Sequence, residues 1–323
     1  MPIEIRKATE ADEPALEQLF RLAFRKPLPD GEWRWKYAGN PHGRRALVAV
    51  HDGRLVGHFA AWPTVLWKNG ESRKACSATD VMTAPAARFR GRDTPILRLG
   101  RSFFEEEEKS DDPPPFVFGF PGFRHREFGE RFLGYRCAGE VTRFLAEIPE
   151  LSRQESPAGE QLVISETLPA GYDALWDSIR TSPGWRTDKS RGTLHWRYHA
   201  RPNRYYRFFL LWNSARSNLE AVAIVGFDGE RALVAESLVS PGNEGRLSLL
   251  FAGVAQNLST NGIVTLEARS NPNSPVGRLL SQHPLFRRVT SEIPLEVRPV
   301  HGWPDPDEVA RQFDYSAGDY DVV

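Results

Sequence analysis

The sequence predicts an α/β protein of two tandem units, each a mixed β-sheet flanked by helices. Three observations carry this. The 323 residues exceed one typical core and suit two domains of roughly 150 residues each. Strand-like and helix-like stretches follow one another in the first half in the order β-α-ββ-β-α-β-α-β. An aromatic stretch then returns 161 residues later, with Trp35, Tyr37 and Pro41 answered by Trp196, Tyr198 and Pro202.

In order, Ile3 to Ala8 reads as a short strand, and Thr9 with Asp12 starts a helix running to about Phe24. The aromatic segment Trp33 to Tyr37 follows. Strands at Ala46–Val50 and Leu55–Ala61 flank a tight turn at Asp52-Gly53, and Arg73 to Thr83 forms a longer strand. A helix from about Thr94 to Lys109, a strand at Phe116–Phe120, a short helix through Glu130 and a strand from about Arg136 to Ala146 complete the unit. The second half repeats this order with strands at Arg207–Leu211, Leu219–Phe227 and Arg231–Val239, a helix at Leu247–Leu258, a strand at Ile263–Ala268 and a helix at Ser274–Ser281. The expected division is a first domain at 1–148, a Pro/Ser/Glu/Gly-rich linker at 149–160, a second domain at 161–300 and an exposed acidic tail at 301–323.

Composition excludes several classes of function. Forty-two basic residues balance 42 acidic ones, so no whole-molecule attraction to nucleic acid or an anionic membrane is expected. No apolar run approaches a membrane span. Cys76 and Cys137 form no CxxC pair, which predicts reduced thiols and, with a charged N-terminal stretch, a cytoplasmic location. GxSxG, Walker, GxGxxG and zinc-ligand spacings are absent from the sequence. His195 and His199 have i, i+4 spacing without a third ligand, so no metal is expected. Glu105 to Glu108 reads as a solvated helix face.

The strongest chemical signal lies between the long strand and its following helix. Arg88, Arg90, Arg92, Arg98 and Arg101 cluster there in an otherwise neutral chain, around Gly91 and a helix start. Backbone N–H groups and the helix dipole at such a place favour a phosphorylated ligand; a solvated arginine-rich loop is the other reading. This arrangement resembles the GNAT acyl-CoA N-acyltransferase superfamily, whose pyrophosphate loop reads Arg/Gln-x-x-Gly-x-Gly/Ala after a strand and a proline. Arg88 and Gly91 take the first two fixed positions and Pro85 precedes them. Asp93 stands at the third, where its carboxylate competes with a phosphate for the same amides. Trp35-Lys36-Tyr37 through Gly43, Asp80-Val81-Met82, Gly119-Phe120-Pro121 and Leu133-Gly134-Tyr135 are similar, in the same order, to tandem GNAT proteins found among polysaccharide-biosynthesis genes.

The resemblance implies direct transfer of an acyl group, acetyl first, from acyl-CoA to a small amine, with an amino sugar as one candidate. It places the pantetheine arm along Val81, Met82 and Thr83, and the pyrophosphate on Arg88, Phe89, Arg90, Gly91, Arg92, Asp93 and Thr94. Candidate proton-transfer groups are Asp80, His125 and Glu130; Glu130 takes the place where many members have a tyrosine acid. Trp35 and Tyr37 are candidates for the acceptor pocket or for the core. Around Gly242 and Gly245 the second half has glycines but a single arginine beside Glu244, and it reads as cofactor-free. Alternatives are a catalytically degenerate ligand- or partner-binding protein and a Fem-like aminoacyl transferase, which a neutral chain disfavours.

Overall fold

Strands buried over most of their length, such as Phe116–Gly119 and Leu219–Asp228, and helices with one buried face build one continuous sheet with helices on its faces. The computed structural model describes residues 2–88, 94–155 and 161–320. The first half contains β1 (Glu4–Lys7), α1 (Glu13–Phe24), a π-helical turn (Arg34–Ala38), β2 (Arg45–His51), β3 (Arg54–Lys68), β4 (Glu71–Thr83), α2 (Pro95–Glu108), β5 (Phe116–Gly119), α3 (Phe123–Phe132), β6 (Arg136–Glu147) and the short α4 (Ile148–Leu151). The second half contains β7 (Leu162–Ser165), α5 (Tyr172–Arg180), β8 (Trp185–Thr187), α6 (Arg191–Leu194), a second π-helical turn (His195–His199), β9 (Tyr206–Trp212), β10 (Leu219–Asp228), β11 (Arg231–Val239), α7 (Gly245–Leu258), β12 (Thr265–Ser270), α8 (Pro275–Gln282), β13 (Arg287–Pro299) and α9 (Pro306–Gln312).

The strand order is β1-β2-β3-β4-β5-β13-β6-β12-β11-β10-β9-β7, with β8 paired to the far end of β3. Read from either end, this order is the same once the halves are exchanged. The last strand of each half has crossed over: β13 pairs with β5, β6 pairs with β12, and the two crossed strands pair with each other. The sheet is therefore continuous through the middle of the molecule, although the β13–β6 register shifts between Thr290 and Glu296.

A second contact ties the halves at the repeated aromatic segments. Trp35 Nε1 donates to the Trp196 carbonyl at 2.7 Å, and Trp196 Nε1 donates to the Trp35 carbonyl at 2.9 Å. Their rings stack with centroids 5.3 Å apart. Each indole satisfies its buried N–H on its counterpart's backbone, so the pair is reciprocal in both shape and hydrogen bonding. Trp35 belongs to this packing rather than to an acceptor pocket.

Helix α2 begins where the sequence places it, with Thr94 as its cap, accepting from the Leu97 amide, and Pro95 in its first turn. It packs Leu97, Leu99, Phe103 and Phe104 onto the sheet. The acidic run at its end is not wholly solvated. Glu107 is buried against the Arg45 guanidinium, and Glu108 accepts from Arg298 at 2.8 Å. Both are drawn in by cations on neighbouring strands.

The expected exposed tail is also corrected. Residues 301–320 carry α9 and then Phe313, Tyr315 and Tyr320, all buried, whose aromatic bulk pulls the intervening acids inward. Asp319 accepts from Thr187 and Lys189, at 2.5 and 2.9 Å, and Lys189 also holds Glu236 at 2.8 Å. Gly318 passes so close to the Tyr198 hydroxyl and Glu236 that a Cβ there would collide with both. No helix among the described residues is long and apolar enough to cross a membrane.

Trp196→Ala is expected to cost roughly 3–5 kcal/mol of stability in urea denaturation. Trp196→Phe, which keeps the ring and loses the N–H, is expected to cost about 1 kcal/mol.

Candidate active site

Strands β4 and β5 run parallel for only two residue pairs, Cys76 with Val117 and Ser77 with Phe118. Beyond them the strands part. β5 stops at Gly119 because Pro121 and Gly122 follow, and β4 bulges where His58 and Ala60 of β3 face Met82 and Thr79. Asp80 lies in this bulge with φ of 46°, in the left-handed region that costs energy for a residue with a side chain. The parting opens a cavity of about 530 Å³. One wall is Ser77 to Val81 of β4, and the opposite wall is Gly119 to Gly122 with α3. Phe20, Phe24 and the segment after α1 cover one side. The second half reaches in through Arg201 to Arg204 and through Glu296 of β13.

Asp80 lines the cavity, as expected for a candidate base, but its carboxylate is already engaged. Lys36 Nζ donates at 3.1 and 3.2 Å and the Tyr37 hydroxyl at 2.7 Å. Its carbonyl accepts from His58 Nδ1 at 2.7 Å. Burial drives the His58 pKa down to about 4, partly offset by that bond, so the ring is neutral near pH 7. Tyr37 does not line the cavity; it fixes Asp80 from behind, while Lys36 beside it does line the space.

His125 lines the cavity at the start of α3, and its pKa is lowered by desolvation and then by the positive charge of Arg88. Glu130 does not line it. Its carboxylate pairs with Arg126 one turn back, at 3.2 Å. Of the strand residues expected along the pantetheine arm, Val81 faces the cavity, whereas Met82 packs into the core under α1 and Thr83 is buried. Arg88 lies exposed at the end of the turn after β4, and the Thr94 hydroxyl is occupied in capping α2. Phe89, Arg90, Gly91, Arg92 and Asp93 lie outside the described residues.

Three cavity residues carry no signal in the sequence. Glu32 and Arg201 form a buried ion pair across the two halves at 3.1 Å. Glu296 is 2% exposed, and neither carboxylate oxygen has a hydrogen-bond partner among the described residues. Burial first, and the charge of Glu130 second, raise its pKa to about 7 against the opposing pull of Arg126. An acid between Leu295 and Val297 reads locally as the solvated side of a strand. Only the crossing of β13 turns it into a cavity wall. No group of three or more His, Cys, Asp or Glu side chains placed to hold a metal occurs among the described residues.

Residues 4–135 match the acetyltransferase (GNAT) domain family. No curated protein matches the chain significantly. Among solved structures, a conserved Enterococcus faecalis protein described as a probable N-acyltransferase aligns with a TM-score of 0.71 at 14% identity, covering 93% of this chain and 73% of its own. A GCN5-related N-acetyltransferase from Anabaena variabilis aligns at 0.69 and 15% identity, over 92% and 73%. A tandem GNAT protein from the clavulanic acid biosynthesis pathway aligns at 0.57 and 13%, over 94% and 99%. The fold is thus the mixed α/β fold of GNAT proteins, and residues 4–135 are similar to the GNAT acetyltransferase domain.

Two stability measurements check this description. Asp80→Asn leaves Lys36 buried without its counter-charge and is expected to cost about 3–5 kcal/mol, part of it recovered by adding Lys36→Met. Because the folded-state pKa of Glu296 stands above its ordinary 4.5, its contribution is complete below pH 4.5 and is lost as pH rises through about 7. Glu296→Gln is therefore expected to be more stable than the wild type at pH 8, by roughly 3 kcal/mol at most, with the difference fading below pH 5.

Proposed function

We propose that the protein is an acyl-CoA-dependent N-acyltransferase, using acetyl-CoA and a small amine. The observation that carries this is the parted β4–β5 pair. Past Ser77 the β4 backbone has no strand partner on the β5 side among the described residues, which leaves amide groups to pair with the amides of a pantetheine arm. Arg88 and the capped start of α2 lie at the end of the same strand, where a pyrophosphate would meet N–H groups and positive charge. The thioester then reaches the cavity, and the amine approaches from the side covered by α1 and the 201–204 segment.

The rim on that side favours an amine that also bears a negative group. Lys26 and Arg204 are both exposed cavity residues, one from each half, and neither is paired among the described residues. A nucleotide-linked amino sugar or an amino acid would satisfy both this rim and the amine chemistry. The second half is proposed to bind no cofactor. The segment ending at Tyr320 fills the region beside β11 and β12, and the Glu244 carboxylate accepts from the Gly242 amide at 3.1 Å, an anion already in place at the start of α7. The competing reading, a binding protein without catalysis, draws support from the engaged Asp80 and from Glu130 being held by Arg126.

Titration calorimetry is expected to show one acetyl-CoA site per chain. A thiol-release assay across an amine panel is expected to show turnover, which a binding-only protein would not. Arg204→Ala is expected to raise KM up to about fivefold for acceptors bearing a carboxylate or phosphate, and to leave neutral amines unchanged.

A further inference from the structure

We infer that Glu296, carried into the cleft by the last strand of the second half, is the proton acceptor for the incoming amine. This rests on the acyl-transfer reading above. Among the described residues three acids line the cavity: Glu32, Asp80 and Glu296. Glu32 is held by Arg201, and Asp80 by Lys36 and Tyr37. Glu296 alone of the three offers carboxylate oxygens with no hydrogen-bond partner among the described residues, although it is 2% exposed. A carboxylate buried in this way is costly unless a ligand completes it.

The sheet aims it. Leu295 and Val297 are buried in the central core, so strand alternation turns Glu296 to the other face, towards α3. Its cross-strand neighbour on β5 is Gly119, which has no side chain to cover it. The charged and titratable groups around it are Arg126, Glu130 and His125 from α3, and Tyr135 and Cys137 at the start of β6. Asp80 and Lys36 face it across the cavity. Arg126 Nε stands 3.5 Å from one oxygen and is shared with Glu130, so it steadies the carboxylate without closing it off. Desolvation holds this group near pKa 7, which suits proton transfer at neutral pH.

The acceptor enters as an ammonium and gives one proton to Glu296, directly or through one water. The freed nitrogen lone pair forms the C–N bond to the thioester carbonyl carbon. The C–S bond then breaks with its electron pair leaving on sulfur, and the second nitrogen proton passes to the thiolate. Glu296 releases its proton to solvent.

The test compares wild type, Glu296→Gln and Glu296→Asp with acetyl-CoA and an amine that the wild type turns over. Rates are followed from pH 5 to 9, and acetyl-CoA affinity is measured by calorimetry. Expected for Glu296→Gln are a loss in kcat/KM of about 10²- to 10³-fold, unchanged acetyl-CoA affinity, and disappearance of the acid limb near pH 7. Glu296→Asp is expected to keep that limb at reduced rate. A Gln variant that binds acetyl-CoA and retains either the wild-type rate or the limb overturns the assignment of Glu296 alone. Wild-type protein that transfers to no amine overturns the acyl-transfer reading, and this inference with it.

Discussion

The crossing of the two final strands is the constraint on which the remaining structure depends. A splayed strand pair such as β4 and β5 exposes backbone groups and would be weak if the sheet ended there. β13 pairs with β5 along its other edge and ties it to β6, and through β6 to the whole second half. The opening can persist because its far wall is anchored in a sheet that continues into the second half. The stacked Trp35 and Trp196, each donating to the other's backbone, fix the same relation from the other side of the aromatic segments.

Duplicated architecture has diverged in what fills each half. In the first, a bulge at Asp80 and a two-pair contact leave space between the parallel strands. In the second, β11 and β12 stay paired over four residues, from Arg231 with Thr265 to Val234 with Ala268. The chain's own Ser316 to Tyr320 then lies beside them. There Tyr198 donates to Glu236 at 2.6 Å, as Tyr37 donates to Asp80 at 2.7 Å. The polar centre of each unit has been kept, while one has become a wall of a cavity and the other a buried knot around Lys189.

Much of the fold was legible because its signals are local. Turn residues, the Thr94-Pro95 helix start and the returning Trp-x-Tyr segment mark elements without reference to the rest of the chain. Residues 162–190 were less legible: α5 and β8 are short, and β8 is fixed by pairing with β3 of the other half, which no local pattern encodes. The site was legible in part. Asp80, Val81 and His125 reach the cavity because strand and helix order alone put them there. Glu130 does not line the cavity but pairs with Arg126, which does, because the face that α3 turns to the sheet depends on how the helix packs there. Glu296 and Arg201 were invisible because they enter from the other half, Glu296 on the crossing strand β13 and Arg201 on the segment after the second π-helical turn, which no local pattern encodes. The buried tail misled for a related reason. Its charges suggested solvent, but its aromatics decide where it goes.

The strand crossing also sets the order in which the molecule can be completed during synthesis. The first half leaves the ribosome with its cavity residues made, yet β5 keeps an unpaired edge until β13 follows about 170 residues later. At roughly 5–20 residues per second, that edge waits on the order of ten to thirty seconds. Such an edge is a template for pairing with another chain. Its brevity, four residues closed by Pro121 and Gly122, limits that hazard. The short strand that lets the cleft open is thus also the one that can best bear being left incomplete in a nascent chain.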